Sequence, residues 1–152
     1  MTGPIDIAEI SQCTCLGVRR LARRVTQIYE EIMAPAGLTV GQFGLLAQLY
    51  GADLAGQRSV AVGALAERLG ADPTTLSRNL RPIRSQGLIV DDPDPLDRRT
   101  RAVRLTDKGR AKLRRAVPVW RQAQRHVNSA LGPETATTLR GAVDLSAARL
   151  AG

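Results

Sequence analysis

The sequence has 152 residues, with 22 Lys and Arg against 14 Asp and Glu, for a formal charge of +8. At 43% apolar and 24% charged residues the chain can bury enough surface to offset its conformational entropy, which excludes wholesale disorder and fits one compact domain or two small layers sharing a core. Aromatic residues are only 3%, too few for the stacking platform on which single-stranded nucleic acid is held.

The opening residues hold acids and lack a basic start followed by an apolar run, so no secretory signal is read there. No stretch approaches the roughly 20 apolar residues that span a bilayer. A cytoplasmic location without a membrane partner is expected. From Leu16 to Met33 the positions Val18, Leu21, Ala22, Val25, Ile28, Tyr29 and Ile32 recur at helical steps and predict an amphipathic helix. Pro35, Ala36 and Gly37 end it. Thr39 then caps a second helix carrying Val40, Phe43, Leu46 and Leu49, expected to stop near Gly51 and to be followed by a loop over residues 51–59. Val62, Leu65, Ala66 and Leu69 mark a short third helix that Gly70 terminates.

Asp72 is a good N-cap, and Pro73 sits at the first helical position, where a missing N–H costs nothing. A fourth helix therefore follows the third across about three residues including a glycine, which is helix-turn-helix spacing. Its exposed positions are Thr74, Thr75, Ser77, Arg78 and Arg81, and Leu76, Leu80 and Ile83 supply the inward face. Pro82 predicts a kink or an early end. Leu88-Ile89-Val90 and the alternating Ala102-Val103-Arg104-Leu105-Thr106 pair as a hairpin, and the segment between them puts Arg98, Arg99 and Arg101 near its tip. A long helix runs from about Asp107 to Leu131 with a bend at Pro118. A last helix follows Pro133, with Leu139, Val143, Ser146 and Leu150 near heptad steps.

The expected fold is mainly α with a small β-wing: a winged helix-turn-helix over residues 36–117, with the helix-turn-helix at about 61–86 and the wing at about 88–106. Helices in 5–35 and 118–152 carry apolar stripes that need a partner, and a homodimer layer built from both ends is the economical solution. Residues 76–115 hold 12 basic and five acidic side chains, nearly the whole charge excess, and mark a polyanion-binding face for double-stranded DNA. Hydrogen-bonding Thr74, Thr75, Ser77 and Asn79 among the arginines favour base reading over charge neutralisation alone. The alternative is a sequence-indifferent architectural DNA binder. There is no glycine-rich phosphate loop, no pair of carboxylates in an apolar setting and a single histidine, His126, so neither an enzyme nor a cofactor or metal is expected.

The runs Leu65-Ala66-Glu67-Arg68-Leu69-Gly70, Thr74-Thr75-Leu76-Ser77-Arg78, Gly87-Leu88-Ile89, Asp97-Arg98-Arg99 and Leu105-Thr106-Asp107-Lys108-Gly109 resemble, at this spacing, the MarR family of bacterial transcription regulators. The resemblance covers essentially the whole chain. It implies a homodimer of winged helix-turn-helix subunits, usually a repressor, bound to a pseudo-palindromic operator and released by a small ligand or an oxidant. It also implies that Thr74, Thr75, Ser77, Arg78 and Arg81 contact the major groove and its phosphates. It further implies that Arg98, Arg99 and Arg101 belong to the wing, where an arginine at the tip enters the minor groove, and that Asp97 orients a neighbouring guanidinium.

Cys15 falls on the apolar stripe of the first helix. Its N-terminal position and Arg19 favour a thiolate, and apolar neighbours favour a thiol, so a packing residue and a reactive one both remain open. The spacing of Cys15, Thr26, Gln27 and Tyr29 is similar to the organic-hydroperoxide-sensing branch of the family, although Arg19 stands where that branch usually has a tyrosine. That similarity implies an oxidant sensor at Cys15. Cys13 is a candidate resolving thiol, but two positions apart in a continuous helix the side chains diverge by about 200°, and a disulfide needs unwinding.

Overall fold

The computed structural model describes residues 5–93, 96–97 and 99–151. Its elements are α1 (Ile7–Ser11), α2 (Thr14–Met33), α3 (Val40–Leu54), β1 (Val60–Ala61), α4 (Val62–Leu69), α5 (Pro73–Ser85), β2 (Ile89–Pro93), β3 (Arg101–Leu105), α6 (Asp107–Leu131) and α7 (Pro133–Leu150). The chain divides into two compact units, one of Met1–Glu31 with Ala123–Gly152 and the other of Ile32–Gln122.

In the terminal unit, Asp6 caps α1 by accepting the N–H groups of Ala8 and Glu9. The chain breaks at Gln12 and Cys13, and α2 starts where Gly17 donates to the Cys13 carbonyl. Helices α2, α6 and α7 are joined by a polar ladder: Tyr29 donates its hydroxyl to Gln124, Gln124 donates to Asn128, and Arg140 donates to the same Asn128 oxygen. Tyr29, Ala123, Val127 and Ala136 are the buried apolar residues of this unit.

The central unit is built around α3. Thr39 and Gln42 form a reciprocal capping box at its start, each accepting the other's backbone N–H at 3.1 Å. Phe43, Leu45, Leu46, Leu49 and Ala52 are buried along it, against α4, α5 and β3. Phe43 stacks on Trp120 with ring centroids 5.6 Å apart. Helix α3 does not stop near Gly51. The left-handed turn that a glycine supplies falls at Gly56 instead, and the extra turn buries Ala52 and brings Asp53 to Arg110. The expected loop over 51–59 is correspondingly shorter, and β1 emerges from it.

The wing is a three-stranded antiparallel sheet in the order β1-β3-β2, not a two-stranded hairpin. Val60 pairs with Val103, and β2 pairs with β3 from Ile89↔Leu105 out to Pro93↔Arg101. Helix α5 continues through Pro82 to Ser85, contrary to an early end at the proline. Ile83 is fully buried one residue later, so continuing the helix gains apolar burial against one missing backbone bond.

The sequence Leu105-Thr106-Asp107-Lys108-Gly109 has a direct physical reading. Thr106 is the N-cap of α6: its hydroxyl oxygen accepts the Gly109 N–H at 3.0 Å, and its O–H donates to the Gly87 carbonyl at 2.7 Å, which ties the helix to the turn before β2. Gly109 is buried. A Cβ there would overlap the Leu88 carbonyl and lie 2.7 Å from Leu105 Cδ1, so only glycine allows α6 to start against the strand.

Candidate nucleic-acid interface

Helix α4 ends where Gly70 adopts the left-handed conformation and the N–H groups of Gly70 and Ala71 close on the carbonyls of Glu67 and Ala66. Two residues later Asp72 caps α5, accepting from the N–H groups of Thr74 (2.9 Å) and Thr75 (3.0 Å) and from the Thr75 hydroxyl (2.6 Å). These bonds, the Thr75 hydroxyl foremost, hold the Asp72 carboxyl below its usual range. The Thr75 hydroxyl proton is therefore committed within the chain, and its oxygen faces solvent as an acceptor.

Thr74, Ser77, Arg78 and Arg81 stand at i, i+3, i+4 and i+7 of α5, all exposed, and make one polar stripe. Leu76, Leu80 and Ile83 are buried on the opposite side. Asn79 departs from the sequence reading. It is half-buried, with its amide nitrogen 3.0 Å from where a Cβ on Gly41 of α3 would lie, so it packs inward instead of joining the stripe.

In the wing, Arg99 and Arg101 are exposed, and Arg98 lies outside the described residues. Among the described residues the Asp97 carboxylate meets no guanidinium. Its carboxylate accepts the Arg99 N–H at 2.9 Å and the Thr100 hydroxyl at 3.0 Å, while its carbonyl accepts the Thr100 N–H. These short local bonds fix the turn that carries Arg99, as aspartate side chains do when they imitate a backbone turn.

Three of the arginines counted in the basic segment are committed to ion pairs. Arg84 at the end of α5 meets Asp91 of β2 at 2.8 Å. Arg104 lies 3.4 Å from Asp92, its diagonal neighbour across the β2–β3 ladder. Arg110 bridges Asp53 and Asp107, each at 2.7 Å, and these partners, Asp53 first, hold its guanidinium firmly charged. Asp91, Asp92 and Asp107 thus neutralise structural arginines, while Arg78, Arg81, Arg99 and Arg101 face outward. Sequence reasoning missed the Asp53–Arg110 pair because the two are 57 positions apart.

Cys13 and Cys15 are both exposed free thiols. Cys15 is the second residue of α2 and is not covered within the single chain, and Cys13 sits in the break before α2, not in a continuous helix. Tyr29 is buried, and burial, opposed by the charge of Arg140, raises its phenol pKa so that it stays protonated as the donor to Gln124. Among the described residues no single helix is long and apolar enough to cross a membrane.

A capped helix following a short helix across a glycine turn, with a three-stranded wing behind it, defines a winged helix-turn-helix protein. Neither a protein-family model nor a curated protein matches the chain. Among solved structures it is similar to the transcriptional regulator MosR of M. tuberculosis in complex with DNA, at 34% identity over 90% of this chain and 98% of that one, with a TM-score of 0.72. It is similar also to the transcriptional repressor CouR bound to a 23-mer DNA duplex, at 26% identity over 95% and 99% of the two chains (TM-score 0.75). A third likeness, of fold alone, is to a single-substitution mutant of E. coli MarR complexed with operator DNA, at 20% identity, 93% and 99% coverage and TM-score 0.77. The chain belongs to the MarR family of transcription regulators.

Proposed function

We propose that the protein is a cytoplasmic repressor that binds a pseudo-palindromic operator as a homodimer and leaves it on binding a small ligand or on oxidation. The observation that carries this reading is the exposed stripe Thr74, Ser77, Arg78 and Arg81 on the second helix of the helix-turn-helix. Hydroxyls and guanidiniums at one-turn spacing suit base edges in the major groove, with Arg81 on a flanking phosphate and Thr75 receiving a donor. Arg99 and Arg101, together with Arg98, serve the minor groove, and Asp97 positions Arg99 through the turn backbone. Residues 36–117 act as the DNA-binding region. Helices within 5–35 and 118–152 act as the dimer layer, a role supported by their exposed Ile7, Leu16, Val18, Leu21, Val143 and Leu145.

Two signals have places in this scheme. A cleft of about 210 Å³ beside the Phe43–Trp120 stack, lined by Ala47, Tyr50, Leu113 and Val117 together with Arg110 and Arg114, is smaller than the usual ligand site and suits only a compact molecule. The exposed thiols offer the other. A Cys15 thiolate takes oxygen from a hydroperoxide, which leaves as alcohol or water, and the sulfenic acid condenses with the Cys13 thiol to a disulfide with loss of water. Because Cys13 already lies outside α2, that closure asks only the first turn to fray.

Selection of genomic fragments with the purified protein, reduced and then peroxide-treated at one salt concentration, tests the reading. A recovered palindrome is expected. Its loss after peroxide assigns the signal to the thiols, and its retention assigns it to a ligand. Recovery of DNA without any motif would support a sequence-indifferent architectural binder instead.

A further inference from the structure

The central unit holds a polar cleft of about 370 Å³ lined by Asp53, Gly56, Arg58, Arg104, Leu105 and Arg110. It lies at the base of the wing. Strand β1 runs antiparallel to β3, with Val60 opposite Val103 and Ala61 opposite Ala102, so the chain before β1 enters at the Leu105 end, remote from the turn that carries Arg99. Neither the α5 stripe nor the wing tip borders it.

Three guanidiniums face one carboxylate in this cleft. Arg110 donates through Nε and one Nη to a single oxygen of Asp53 and through the other Nη to Asp107, leaving two of its five donors. The second Asp53 oxygen accepts no hydrogen bond among the described residues. Arg104 has only the longer 3.4 Å pairing with Asp92, which is outside the cleft lining. Arg58 is exposed and forms no ion pair among the described residues. Counting Asp92 and Asp107, which hold Arg104 and Arg110 from outside the lining, the charges balance, so what the cleft offers an anion is the unpaired Arg58 guanidinium beside the loosely held Arg104, planar forks that match carboxylate or phosphate oxygens two at a time. Fold stability accounts for Arg110 and Asp53 but gives Arg58 no role.

We propose that this cleft is a binding site for a small polyanion bearing two or more carboxylate or phosphate groups, gripped by Arg58 and Arg104, with the free Asp53 oxygen accepting from a hydroxyl on the same molecule. The volume suits a di- or tricarboxylate and is at the low end for small-molecule sites. Arg104 is shared between the anion and Asp92 of β2, so the two compete for it.

Calorimetric titration of citrate, and separately of inorganic phosphate, into the full-length protein at constant ionic strength tests the site without DNA, so its outcome is independent of operator recognition. Saturable binding of citrate at one site per chain is expected. Arg58→Ala should weaken it at least tenfold, and Asp92→Asn, which releases Arg104, should tighten it several-fold. Arg121→Ala removes an equal charge from an exposed position of α6 and should leave it unchanged. No saturable heat with either anion, or equal losses in Arg58→Ala and Arg121→Ala, overturns the proposal. So does a loss of DNA affinity in Arg58→Ala without any citrate or phosphate binding, which would make DNA phosphate the anion that Arg58 meets.

Discussion

The two units of the chain treat their apolar residues in opposite ways. The central unit buries Leu45, Leu46, Leu65, Leu76, Ile83, Leu88, Ile89 and Val103 to 2% exposure or less, and Leu54 and Leu96 are its exposed large apolar residues. The terminal unit leaves Ile5, Ile7, Ile10, Leu16, Val18, Leu21, Val143, Leu145 and Leu150 exposed, with Leu150 at 88%. Its internal ties include the Tyr29–Gln124–Asn128–Arg140 ladder and the buried Ala123, Val127 and Ala136. The former is a finished core. The latter matches the half-interface proposed above, its exposed apolar residues awaiting a second copy, so on that proposal the one should answer to packing and the other to protein concentration.

The sharpest break of the comparison is Gly109→Ala. A Cβ against the Leu88 carbonyl displaces α6 from the strand at the centre of the finished core, and a loss of about 3 kcal/mol or more is expected, read as a collapse of the thermal transition by circular dichroism. Leu65→Ala, in the same core, should cost about 2–5 kcal/mol and lower the midpoint by the same amount at every protein concentration. The paired change Val18→Asp with Val143→Asp should do the reverse. Light scattering should fall from twice 16.3 kDa toward 16.3 kDa while the transition of the central unit persists, and a variant that unfolds as Leu65→Ala does would erase the distinction.

Smaller effects separate surface from scaffold within the central unit. Arg99→Ala should leave stability unchanged, weaken operator binding and reduce the slope of log affinity against log salt by about one. An unchanged slope removes Arg99 from the phosphate contacts. Asp72 has the weakest expected signal. Its carboxyl is held below its ordinary value in the fold, so its contribution is complete above the ordinary carboxylate range and is lost as the pH falls through the lowered folded value. Melting temperatures of the wild type and Asp72→Asn should therefore differ at pH 6 and converge on acidification below about pH 4.

The legible parts of the fold are those written in neighbouring residues. Thr39 with Gln42, Asp72 with Pro73, and the apolar steps of α2, α4 and α5 all act within one or two turns, and α3 and α5 begin where those caps predict. The face of α5 is legible for the same reason, since i, i+3, i+4 and i+7 fall on one side of any helix. Asn79 escapes a local reading because its neighbour is Gly41 of another helix, and Gly51 because a glycine ends a helix only where the chain takes the left-handed turn, which here is delayed to Gly56. Strand β1 is invisible in the sequence since Val60 and Ala61 are too few to show a period and are extended only because β3 offers Val103 and Ala102 to pair with.

Local sequence sets the order of the long helices, the helix-turn-helix with its polar stripe, the β2–β3 part of the wing and the concentration of charge, because caps, periodicity and turn residues act over a few positions. Tertiary structure decided which of those charges are available. Arg84, Arg104 and Arg110 are taken by Asp91, Asp92 and Asp53, Asp97 serves the turn backbone, and Arg58 comes to share a cleft with two other guanidiniums. Composition counts a charge wherever it stands, whereas an ion pair exists only where folding brings two side chains within about 4 Å, and no local pattern records that distance.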